Sequence, residues 1–152
     1  MLAFYKGKSF SSKCIMFFTW GKYSHVSFVC NDGSNIEAWY PKVRRTKDVY
    51  EGHTKGTEID LYQDHLLPTQ RMAVEDRLMT QVGKAYDLMG LLGFLIRHDT
   101  ESHEKWFCSE LQAWAFRMGK MPLLLQTPDY KVFPTELSYS TELTYFKTVI
   151  VP

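Results

Sequence analysis

The stretch from Ser24 to Tyr40 constrains the fold of this chain more than any other. Two β-prone runs, Ser24–Cys30 and Ser34–Tyr40, flank Asn31-Asp32-Gly33. Side chains alternate across a strand, so Val26, Phe28 and Cys30 share one face of the first run, and His25 and Ser27 the other. On the second run Ile36, Ala38 and Tyr40 fall together, opposite Asn35, Glu37 and Trp39. A loop made of Asn31, Asp32 and Gly33 pairs Ser27 with Glu37 and His25 with Trp39. It gathers the apolar set on one face and leaves His25, Ser27 and Glu37 on the other. A tighter Asp32-Gly33 turn mixes the two sets and carries Glu37 away from His25. Gly33 suits the left-handed third position of the longer loop. The longer loop is therefore expected, with Glu37 diagonal to His25 at roughly 7–8 Å between backbones, within reach of an imidazole nitrogen.

The 152 residues make one domain, 1–152, able to bury a core without staples. Ten Phe, nine Tyr and four Trp supply large apolar surfaces. A net charge of +1 gives no electrostatic reason to expect nucleic acid or an acidic membrane as partner. The basic cluster Lys42, Arg44, Arg45 and Lys47 reads as a solvated strand edge. Three cysteines, at spacings that match no zinc pattern, argue against a disulfide framework. The N-terminal segment lacks a signal-peptide layout. The longest apolar run, Leu88–Ile96, is too short to span a bilayer. The expectation is a soluble chain, cytoplasmic as synthesised, with no integral membrane segment.

Along the chain, a short N-terminal strand precedes an apolar helix capped at Ser9–Ser12 and stopped by Gly21. After the hairpin, Glu58–Tyr62 reads as a strand. Pro68-Thr69 opens a helix with apolar positions Met72, Leu78, Met79 and Val82, ending at Gly83. A second helix is expected over Leu88–Arg97 and a polar loop over Asp99–Glu104. Cys108–Met118 repeats apolar residues at Leu111, Trp114, Ala115 and Met118. A proline-punctuated loop and a strand over Tyr145–Val151 complete an α+β domain with helices on one side of an antiparallel sheet.

Cys108 opens its helix, where unpaired N–H groups and the helix dipole favour a thiolate nucleophile. A strand histidine brought alongside supplies the base, so His25 is the candidate partner and Glu37 the group that orients it. Cys30 points to the apolar face and Cys14 lies in an apolar helix, so both read as packing residues. His98, Asp99, Glu101, His103 and Glu104 are ligand types, but His98 and His103 do not align on a helix face, and the segment reads as a solvated loop. No metal or cofactor is expected.

Five segments carry a resemblance. Ser24-His25-Val26-Ser27-Phe28, Ile36-Glu37-Ala38, Gly83-Lys84-Ala85-Tyr86-Asp87, Phe107-Cys108-Ser109-Glu110-Leu111 and Phe133-Pro134-Thr135-Glu136-Leu137 occur in that order. Together they resemble the circularly permuted, YiiX-like branch of the NlpC-type cysteine peptidase superfamily. The resemblance implies a papain-like, circularly permuted α+β fold with an antiparallel sheet packed against helices. It implies a cysteine hydrolase or acyltransferase with Cys108 as nucleophile, His25 as base and Glu37 as third polar residue. Tyr86 matches a tyrosine that helps hold the oxyanion, although Ala85 stands where a proline is common. The substrates implied are peptides, cell-wall peptides or lipid acyl groups. The alternative is a catalytically inactive papain-like domain that serves as a binding or structural module.

Overall fold

The computed structural model describes residues 1–87 and 104–152. The expected Leu88–Arg97 helix, and most of the Asp99–Glu104 loop, lie outside the described residues. The strands are β1 (Leu2–Lys6), β2 (His25–Val29), β3 (Asn35–Trp39), β4 (Lys42–Thr46), β5 (Glu58–Asp64), β6 (Ala85–Tyr86), β7 (Lys105–Trp106) and β8 (Leu143–Ile150). They form one sheet in the order β7-β6-β4-β3-β2-β1-β5-β8. Neighbours are antiparallel except β6 and β7, which are parallel. The sheet is therefore mixed rather than purely antiparallel. A tight hairpin cannot join two parallel strands.

The hairpin has the expected register. Phe28 pairs with Ile36 and Val29 with Asn35, which carries Ser27 opposite Glu37. Cys30 N–H donates to Ser34 O at 2.8 Å, enclosing Asn31, Asp32 and Gly33 as the loop. Gly33 has φ +84, and a Cβ there would meet nothing within 4 Å. Gly33→Ala should therefore cost only the left-handed backbone penalty, about 1–2 kcal/mol, read as a urea-midpoint shift at unchanged slope.

Alternation then builds two apolar layers. Leu2, Phe4, Val26, Phe28, Ile36, Ala38 and Val43 form one with the helices. Ala3, Tyr5, Val29, Ile59 and Leu61 form the other, with Val49 and Val151. Helix α1 (Phe10–Phe18) connects β1 to β2, with the Ser9 side chain accepting from Ser12 N–H at its start. Helix α2 (Pro68–Gln81) buries Val74, Leu78 and Gln81. Met72, Met79 and Val82, expected as its apolar stripe, are exposed, so only Leu78 of that set packs inward.

Helix α3 (Cys108–Met118) lies on the first layer through Leu111, Ala115 and Phe116. Trp114 is half-buried and Met118 exposed, while Ser109, Gln112 and Ala113 are buried, so the packed face is rotated and wider than the apolar pattern alone suggests. Gln112 donates to Ile36 O at 3.3 Å, and the Phe116 ring meets Phe28 at 6.1 Å, edge to face. A short helix, α4 (Pro134–Leu137), precedes β8.

Candidate active site

Glu37 is the centre of the second face. Its side chain is fully buried, yet both oxygens are satisfied. His25 Nε2 lies 2.6 Å from Oε2, and His53 Nε2 lies 3.3 Å from the same oxygen. Arg44 closes on Oε1 with Nε at 2.8 Å and Nη2 at 2.6 Å. Cross-strand pairing places Arg44 directly opposite Glu37, so the two charges meet on one face. A buried carboxylate is tolerated only with such partners.

Packing fixes the ring positions. Tyr5 pairs with His25 across β1 and β2. Its ring lies 5.1 Å from His25 and stacks on His53 at 4.0 Å. Its hydroxyl is 3.0 Å from Ser27 Oγ and donates to Val49 O at 3.2 Å. Trp39 presents an edge-on contact to each imidazole, at 5.1 and 4.8 Å, and the Arg44 guanidinium stacks 4.8 Å from the Trp39 ring. Gly52, at φ +81, lies beside that guanidinium; its left-handed backbone favours glycine, and a Cβ there would come within 2.7 Å of Nη2 and displace the Arg44 tip.

Burial raises the Glu37 pKa, but the hydrogen bonds and charges of His25 and His53 outweigh it and hold the carboxyl well below the usual range. Burial pushes the His25 imidazole below its ordinary value of 6.5, with Glu37 pulling the other way. Folded His25 therefore resists protonation. On acidification the unfolded chain takes up that proton first, so stability falls as pH drops below about 6.5. The stability from Glu37 is present above its ordinary carboxylate pKa and is lost only in stronger acid. Melting curves from about pH 8 to 5 should show Tm declining below about 6.5, less steeply in His25→Asn. A flat wild-type profile would contradict a neutral buried His25.

The structure thus brings His25 and Glu37 together as the hairpin register predicts. Cys108 is the first residue of α3 and is buried on the helix side of the sheet, with Val26, Phe28, Ile36 and Ala38. The His25 ring lies on the opposite face, among Tyr5, Trp39 and His53. Tyr86 of β6 pairs with Trp106 of β7, two residues before Cys108, and its ring is 6.1 Å from Phe107. Cys30 is buried in the same layer as Cys108, and burial pushes its thiol up to about 11, as expected of an inert packing residue.

Arg44 and His53 were not singled out by sequence. Of the basic cluster, Lys42, Arg45 and Lys47 are exposed, but Arg44 is not a solvated edge residue: β4 lies between β3 and β6. A short β3–β4 turn at Tyr40-Pro41 sets Arg44 against Glu37, a signal present in the sequence as opposite charges placed symmetrically about the turn. His53 comes from the β4–β5 connection, where no periodicity announces it.

His25, Glu37 and His53 also offer three ligand atoms within 4.8 Å of one another. Two imidazoles and a carboxylate suit a zinc-type ion by donor identity. The charge balance does not, because Arg44 already neutralises Glu37, and a dication would add two uncompensated charges to a buried site.

No protein-family profile matches the chain, and no curated protein matches it. A solved structure does: the metalloprotein YiiX from Escherichia coli O157:H7, with TM-score 0.72 and 18% identity over 98% of this chain and 96% of that one. The chain has a YiiX-like fold, a mixed α+β architecture in which helices pack on an eight-stranded sheet. No helix among the described residues is long and apolar enough to cross a membrane.

Proposed function

We propose that the protein is a cysteine-dependent hydrolase or acyltransferase of the papain-like, permuted NlpC type, acting on an amide, peptide or acyl-ester bond. The observation that carries this reading is the buried His25–Glu37 pair at 2.6 Å, in a chain whose Cys108 opens a helix. Glu37 occupies His25 Nε2 and fixes the tautomer, leaving Nδ1 for the thiol proton. Cys108 belongs to the layer under the helices and the His25 ring to the other face, so the reading requires the two to be brought together around the start of β2, where His25 is the first residue. The thiolate attacks the substrate carbonyl, and His25 returns the proton to the leaving group. Water or a second acceptor then releases the acyl group from Cys108. The Cys108 backbone N–H, with Tyr86 as the side-chain candidate, would hold the oxyanion.

The test is site-resolved alkylation by iodoacetamide near pH 6, with peptide mapping. Labelling is expected at Cys108, lost in Cys108→Ser and retained in Cys14→Ser and Cys30→Ser. Labelling at Cys30 instead, or at no site, would remove the nucleophile and favour a binding or structural module.

A second reading is favoured by the convergence of His25, Glu37 and His53 and by the description of the structural neighbour as a metalloprotein. In it, Arg44 leaves Glu37 and the three side chains hold a divalent ion. Zinc titration of thiol-blocked protein would then show one site, lost in His53→Ala and tightened in Arg44→Leu. No zinc uptake ends that reading.

A further inference from the structure

Helix α1 exposes what its sequence makes most apolar. Phe10 is 84% exposed, Phe17 71% and Trp20 93%. Phe10, Lys13 (also exposed) and Phe17 recur at helical spacing, and Trp20 follows just beyond the helix end. The Phe17 and Trp20 rings stack at 6.4 Å.

The helix end provides a second observation. Trp20 N–H donates to Phe17 O at 3.3 Å and Gly21 N–H to Met16 O at 3.0 Å, the paired bonds of a Schellman ending. That motif puts its left-handed residue where glycine is ordinarily found, and here the residue is Trp20 at φ +50. The backbone cost of a non-glycine residue is taken on while its indole stays exposed, stacked on the equally exposed Phe17, so burial in the core does not account for the choice.

Charge sorts in the same place. The first acidic residue in the chain is Asp32, so α1 and its flanks carry lysines alone. Lys8, Lys13 and Lys22 are all exposed, two of them flanking the helix and one on it.

We propose that α1 docks the protein on an anionic lipid surface, with Phe10, Phe17 and Trp20 in the headgroup region and the three lysines on lipid phosphates. Short amphipathic helices bind bilayers through aromatic residues on one side and cations beside them. A second copy of the chain is a poorer occupant, because a self-complementary contact would set lysines against lysines. Trp20 lies just before the start of β2, so docking would place the bilayer beside the strand that carries His25. The inference stands on the surface alone and does not depend on Cys108 chemistry.

The test is co-sedimentation of the full chain with vesicles of equimolar phosphatidylcholine and phosphatidylglycerol, against phosphatidylcholine alone. Binding is expected to the anionic vesicles, weakened by salt, with a blue-shifted tryptophan emission that is lost in Trp20→Phe. Phe17→Ser/Trp20→Ser should reduce partitioning at least about tenfold. Lys13→Glu/Lys22→Glu should reduce it by roughly tenfold or more on anionic vesicles only. All these positions are exposed, and unchanged Tm in each variant verifies the fold. Absence of wild-type binding, equal binding to both vesicle types, or binding indifferent to both double variants overturns the proposal. Concentration-dependent self-association that Trp20→Ser abolishes, without vesicle binding, would assign the surface to a second copy instead.

Discussion

Glu37→Ala is expected to destabilise the protein by about 3 kcal/mol, lowering Tm by roughly 6–12 °C. The substitution removes the one anion that the Arg44 guanidinium and both imidazoles share, and leaves their polar atoms facing an apolar methyl. Breaking a buried pair by deleting one partner costs about 3–5 kcal/mol. The lower end applies here because the Arg44 side chain is 27% exposed and can recover some hydration. Glu37→Gln keeps an acceptor and should cost less. Glu37→Leu/Arg44→Leu should recover part of the loss, since a well-packed apolar replacement avoids desolvating either charge. A Tm change of under about 2 °C in Glu37→Ala would show that the network does not hold the sheet.

His25→Ala is expected to abolish turnover and raise the pH midpoint of Cys108 alkylation toward the free-thiol value of roughly 8.5. Two influences favour the thiolate in the proposed mechanism: the α3 N-terminus and the imidazolium formed when His25 takes the proton. The variant removes the second and leaves the first, so the midpoint should rise without losing the dipole effect entirely. Glu37→Gln should move it in the same direction by less, because the imidazole remains but loses its counter-charge. The measurement is iodoacetamide rate against pH for the three proteins. A common midpoint near that of a free thiol would make Cys108 an ordinary core cysteine and leave the binding-module reading in front.

The hairpin was legible because a strict two-residue period and a glycine loop admit only one register that sorts polar from apolar. From it followed the His25–Glu37 contact, which long-range reasoning could not otherwise have reached. Helix α2 was misread in its facing: Met72 and Met79 match helical spacing as well as Val74 does, and tertiary contact, not periodicity, decided which side packed. The short strands β6 and β7 have too few residues for any period to register. Arg44 was obscured by three neighbouring cations that are solvated, and His53 by its place in a connection, where position depends on ring stacking against Tyr5 rather than on local pattern.

The enclosed loop at Asn31, Asp32 and Gly33 has a consequence for how this chain can diverge. Surface connections commonly absorb insertions and deletions with little effect. This one counts residues for the whole second face. Adding or removing a single residue would turn β3 over relative to β2, sending Glu37 toward α3 and Ile36 and Ala38 toward Tyr5. Substitutions at Asn31 or Asp32 leave that arithmetic intact. Descendants of such a chain are therefore free to rewrite the loop's letters, while a one-residue change in its length would dismantle the carboxylate network in a single step.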